Sequence, residues 1–84
     1  MSESKNMLLS ECKPGDEVLI KSLSLEGTMR RRLLDLGFVR GSELKVIQKS
    51  PLGDPMAFRV SDTTIALRKE ESSKIIVEKI GGDE

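Results

Sequence analysis

The sequence predicts a mainly β domain, all-β in class: about five short strands curled into a small SH3-like barrel, with one short helix inserted between the first and second strands. Three observations carry that expectation. Apolar and polar residues alternate over several short segments, the period-2 signature of half-buried strands. Glycine and proline punctuate those segments at close spacing, as all-β folds require. A sheet this small hides its edges most simply by closing on itself.

The elements follow in order. Residues 1–6, MSESKN, are polar and read as a disordered end. Met7-Leu8-Leu9 leads into one helical turn at Ser10-Glu11-Cys12-Lys13, with Ser10 placed as its N-cap and Pro14-Gly15 ending it. Glu17–Lys21 is the first strand, with Val18 and Ile20 on one face and Leu19 on the other. Thr28 stands as N-cap of a helix over Met29–Leu36, and Met29, Leu33 and Leu36 form its core-facing stripe. Gly37 sits where a left-handed C-cap belongs, and Phe38 folds back on the last turn.

After the Arg40-Gly41 turn, Glu43–Lys49 is a strand burying Leu44 and Val46. Ser50 to Pro55 holds two prolines and is a loop. Met56–Val60 and Thr63–Leu67 form a hairpin across Ser61-Asp62, with Met56, Phe58, Val60, Ile65 and Leu67 inward. Lys69–Ser73 reads as a polar link to a last strand, Ile75–Lys79. Residues 81–84 read as a flexible tail, so the folded domain is expected over 7–80. A free edge of the sheet could pair two chains, giving a monomer or weak homodimer, unless Met7–Leu9 covers it.

Composition narrows the function classes. The chain has 84 residues, 37% hydrophobic and 33% charged, with two aromatics, Phe38 and Phe58. The core must therefore be aliphatic. Fourteen basic residues balance fourteen acidic ones, which argues against a global polyanion binder. The scarcity of aromatics for base stacking argues further against nucleic acid as a partner. Cys12 is the one cysteine and there is no histidine, so no internal disulfide forms and a metal site would have to use one thiol and carboxylates. No apolar run exceeds three residues, too short for a membrane span or a signal segment; a soluble, cytoplasmic protein is expected. No acid/base pair or nucleophile constellation is visible, so the chain is not read as an enzyme.

A distributed pattern then carries a resemblance. The opening L-S-x-x-K-P-G-D, the run RRRLLDLGFVRGSELKV, the loop SPLGDPMAFRV and the ending TIALRKEESSKIIVE together resemble the FeoA family of bacterial ferrous iron transport proteins, over about Leu8 to Ile80. Ser72 departs from an alanine common in the family, at a position that concerns packing. The resemblance implies an SH3-like barrel, a cytoplasmic place and no catalysis. It also implies a partner: a FeoB-type membrane ferrous iron transporter with a cytosolic GTP-binding domain. The implied function is a non-catalytic accessory role, binding and modulating that G domain region. The alternative is a small SH3-like nucleic-acid-binding or general protein-interaction module.

Candidate partner-binding residues fall in two places. Arg30, Arg31 and Arg32 can dock an acidic surface, or form an ordinary solvated helix face with Arg30 or Arg31 paired to Glu26 or Asp35. Leu34 and Phe38 are either an exposed apolar patch or core. In the Pro51–Pro55 loop, Leu52 and Asp54 belong either to a recognition surface or to a rigid connection whose leucine caps the barrel end. The family's name suggests a transition metal. Yet Cys12, Asp16 and Glu17, and the pair Glu70-Glu71, do not form a convincing iron site, and no cofactor or metal is expected.

Overall fold

The computed structural model describes residues 6–81. Six strands, two helices and one 3-10 turn follow in order: β1 (Asn6–Leu8), the 3-10 turn (Leu9–Glu11), β2 (Glu17–Leu23), α1 (Gly27–Asp35), β3 (Glu43–Lys49), β4 (Met56–Val60), β5 (Thr63–Leu67), α2 (Lys69–Ser72) and β6 (Ile75–Gly81). The expected free ends lie outside the described residues, apart from Asn6, which opens β1, and Gly81, which closes β6.

All strands pair antiparallel in one sheet of order β1-β6-β2-β3-β4-β5. The expected closed barrel is corrected here: the sheet is open. Among the described residues β1 pairs only with β6 and β5 only with β4, so the two ends of the sheet do not bond to each other. The reason lies in the chain at those ends. It leaves the extended state at Leu9, where the 3-10 turn begins, and again after Leu67, where α2 follows. The 3-10 turn packs against both α2 and β6. Leu9 and Cys12 at the first of these departures and Glu71 and Ser72 at the second are buried.

Curvature comes from bulges. Lys21 on β2, Ile80 on β6 and Ile47 on β3 are each skipped in the pairing register, and an extra residue bends and twists a strand. The Ile47 bulge also ends the clean alternation of β3: Leu44 and Val46 are buried, and residues 47–49 are exposed. The core is a single aliphatic cluster with both phenylalanines inside: Val18, Ile20, Leu44, Val46, Met56, Phe58, Val60, Leu67, Ile75 and Val77 from the sheet, joined by Leu9, Cys12, Leu25, Leu33 and Phe38. Cys12 is buried as a small hydrophobe.

Two caps differ from expectation. Ser10 lies inside the 3-10 turn rather than capping it; the turn starts after Leu8, whose N–H donates to Glu11 Oε1 at 3.1 Å. Thr28 lies inside α1, whose N-cap residue is Glu26. The C-terminus of α1 matches expectation. Gly37 has φ of 106°, Phe38 N–H bonds Leu33 O at 2.9 Å and Gly37 N–H bonds Leu34 O at 3.1 Å, the paired bonds of a Schellman turn.

Candidate partner-docking surface

The Schellman turn sets the geometry of α1. It drops Phe38 into the same core cluster as Leu33, where it is fully buried. Of the two readings of Phe38, exposed patch or core, its burial matches the core one. The ring takes the space beneath the last turn, so Leu36, expected in the core stripe, stays 37% exposed. Met29 and Leu33 keep their inward positions, Met29 half-buried against the cluster. Leu34 is half-buried as well. The outward side of α1 thus mixes apolar and cationic groups. A shallow groove of about 430 Å³ runs over Gly27, Arg30, Arg31, Leu34 and Asp35.

The three arginines have different situations. Arg30 donates from Nη1 to Leu23 O at 3.2 Å, tying α1 to the end of β2. Arg32 pairs through Nη1 with Glu71 Oε2 at 3.3 Å, tying α1 to α2. Neither pairs with Glu26 or Asp35. Arg31 is exposed and, among the described residues, has no hydrogen bond or ion pair.

The 50–55 loop is held by its own backbone and one serine. Ser50 Oγ donates to Asp54 O at 2.8 Å and accepts Asp54 N–H at 3.1 Å; Gly53 N–H donates to Ser50 O at 2.8 Å. At its tip Leu52 is 93% exposed, so it does not cap the end of the sheet. A large aliphatic side chain held out by a braced loop meets a partner with little ordering cost. Asp54 is exposed but tied to α2: its Oδ1 accepts Lys69 N–H at 2.7 Å, the first donor of that helix.

The polar link expected over Lys69–Ser73 is in fact α2, and it joins the two candidate regions. Glu71 sits in its third position; Oε1 accepts Arg68 N–H at 3.0 Å while Oε2 faces Arg32. The same short helix is bonded to Asp54 at its start and to Arg32 through Glu71. The sequence reading missed this junction. Its signal was the Glu three residues after Arg68, half of a capping box, masked because Arg68 is not a capping side chain. Glu70 is exposed and Glu71 buried, so this pair does not converge on a shared ion.

Elsewhere, Asp16 is buried; Oδ2 accepts Lys13 N–H at 2.9 Å and Oδ1 lies 3.4 Å from Lys79 Nζ. Cys12 Sγ points at Leu8 O, 3.7 Å away, and burial, reinforced by the Asp16 and Glu11 carboxylates, pushes its thiol up to about 11. Among the described residues no group of three or more Cys, Asp or Glu side chains could hold a metal ion, and no helix is long and apolar enough to cross a membrane.

The family model of the FeoA domain matches residues 7–79. The chain belongs to the FeoA family. It is 40% identical over 77 residues to an Fe(2+) transport protein A/Fe(2+) transporter FeoB fusion protein of Porphyromonas gingivalis, covering 92% of this chain and 9% of the fusion protein. A Fe(2+) transport protein A assigned in Campylobacter jejuni is 30% identical over 74 residues, 88% of this chain and 100% of that one. The solution structure of the FeoA protein from Chlorobium tepidum superimposes with a TM-score of 0.84 at 44% identity, covering 93% of this chain and 74% of that one. This chain is a FeoA-family domain, and it spans less than a tenth of the fusion protein's length.

Proposed function

We propose that this FeoA domain binds the cytosolic GTP-binding region of a FeoB-type transporter through one face, built from the outward side of α1 and the tip of the 50–55 loop. The observation that carries the reading is the fusion protein of Porphyromonas gingivalis, in which a FeoA part and a FeoB part share one chain. Covalent linkage holds two modules at high effective concentration, which suits a contact that works in one complex. The chemistry of the face supports the rest. Among the described residues Arg31 is a cation without an internal partner, Leu52 is an apolar side chain on a braced loop, and Leu34 and Leu36 supply apolar area beside the arginine.

Docking modulates the transporter when the FeoA domain binds one nucleotide state of the G domain better than another, because a ligand shifts an equilibrium only by its differential affinity. The test is a titration of isotope-labelled FeoA domain with the soluble G domain in apo, GDP and GTP-analogue states. The expected result is shifts concentrated on residues 29–36 and 51–54, with affinities that differ between states. Arg31→Ala and Leu52→Ser are each expected to weaken binding about fivefold or more. Equal affinity for all states leaves a scaffold and removes modulation; unchanged spectra at saturating G domain reject the docking face.

A further inference from the structure

The free edge of β5 carries an inference independent of the docking face. β5 is the last strand of the sheet, and among the described residues its other side pairs with no strand. The usual guards of an edge are missing. Its five residues, Thr-Thr-Ile-Ala-Leu, hold no charge and no proline, and its pairing with β4 runs without a bulge. Threonine and isoleucine also favour the extended state. By contrast β1, at the other end of the sheet, is three residues long.

The register says which backbone groups are free. Val60 and Thr63 flank the two-residue turn at Ser61-Asp62 and are paired, so they form the hydrogen-bonded pair that closes the hairpin. Bonded and non-bonded pairs then alternate, which makes Ile65 and Leu67 bond toward β4 and leaves the N–H and C=O of Thr64 and Ala66 pointing away from it. Among the described residues no loop or turn donates to or accepts from those four groups. Beyond the two ends of the strand stand Asp62 and Arg68. Both are exposed, and among the described residues neither side chain has an ion pair or hydrogen bond.

We propose that β5 pairs antiparallel with β5 of a second copy of this chain, about a two-fold axis at Ile65. In that register Thr64 opposes Ala66 of the second copy, and each pair exchanges two bonds, satisfying all four outward groups of each strand. Ile65, half-buried in the single chain, meets its own copy as a close non-bonded pair with Cα atoms about 4.5 Å apart. Asp62 falls opposite Arg68 of the second copy, and the symmetry makes that pair twice. A shift by two residues either way keeps the hydrogen-bond parity but separates Asp62 from Arg68, so the charges select this register. One strand per side is a small contact, and the expected dissociation constant is about 0.1–1 mM.

The experiment is sedimentation and amide spectra of the full chain from about 50 μM to about 2 mM, repeated for Asp62→Arg, Arg68→Asp and the double reversal. The expected result is a mass rising toward twice that of one chain, with concentration-dependent shifts on residues 62–68. Each single reversal places like charges opposite twice per dimer and weakens association about tenfold; the double reversal restores it to within about threefold. Both positions are on the surface, and Asp at 68 is a good N-cap for α2, so the variants fold. A constant monomer mass overturns the proposal, as does a dimer indifferent to both reversals. Shifts at 62–68 that arise only when a FeoB-type cytosolic region is added overturn self-pairing and assign the edge to a partner's strand.

Discussion

Arg32 and Glu71, 39 residues apart in sequence, meet at 3.3 Å and fasten α1 to α2. The two sides of this pair are unequal. The Arg32 side chain is 58% exposed and the Glu71 side chain 10%. Glu71 also accepts the Arg68 N–H, so its loss strands a backbone donor as well as a cation. Glu71→Ala is expected to destabilise by about 1–3 kcal/mol, and Arg32→Ala by less than about 1 kcal/mol because water screens the exposed end. Urea titrations of both variants check the asymmetry; equal losses would show that the ion pair, not the cap, is what Glu71 contributes.

The 50–55 loop separates a carboxylate bonded to α2 from an exposed leucine. Asp54→Ala removes the acceptor of Lys69 N–H and is expected to cost about 1 kcal/mol, within the range of lost helix caps. Leu52→Ser touches a side chain 93% exposed and is expected to leave the melting temperature unchanged, while weakening the proposed contact with a G domain. Calorimetry of the two variants separates these roles.

Cys12 makes the pH dependence calculable in sign. Burial first, then the Asp16 and Glu11 carboxylates, raise its thiol from 9.0 to about 11 in the folded chain. The folded state therefore keeps a proton that the unfolded state gives up from about pH 9. Its contribution to stability is complete below that pH and falls as pH rises through 9 to 11. Cys12→Ala is expected to flatten this part of the stability curve, seen in denaturation midpoints from pH 8 to pH 11 relative to the parent. Alkylation of the native chain at pH 8 is expected to follow the opening of the fold, since the thiol is buried and protonated.

Two turn positions are expected to respond with opposite sign. Gly37 has a positive φ, and a Cβ there would lie 3.2 Å from Val60 Cγ2; Gly37→Ala is expected to destabilise by about 1–3 kcal/mol. Ser61 holds φ of 56° in the β4–β5 turn without being glycine. Ser61→Gly is expected to stabilise by up to about 1 kcal/mol, the relief of strain offset in part by glycine's freedom in the unfolded chain. Thermal melts of the pair test both signs.

Much of the fold was legible in the residues because strand alternation is a local property. β3, β4 and β5 have the expected bounds, β2 and β6 run two residues further than expected, and Val18, Ile20, Leu44, Val46, Met56, Phe58, Val60 and Leu67 are buried as their spacing requires. The Gly37 cap is equally local. The short elements were not legible. Three residues of β1 and four of α2 carry too little periodicity to distinguish strand, helix and link, and each exists through partners far along the chain. Leu36 was misplaced because helical spacing cannot say that Phe38 returns to occupy the slot beneath it.

The sequence by itself determined the strand segments, the helix and its glycine stop, the aliphatic core and, through its distributed motif, the family. Tertiary structure alone decided that the sheet stays open, that α2 joins the arginine helix to the proline loop, and that of three adjacent arginines Arg31 is the one without a partner among the described residues. The physical reason is range. Alternation and caps act between residues a few positions apart, whereas edge closure, the Arg32–Glu71 pair and the Asp54 bond to α2 depend on chain segments that only folding brings within hydrogen-bonding distance.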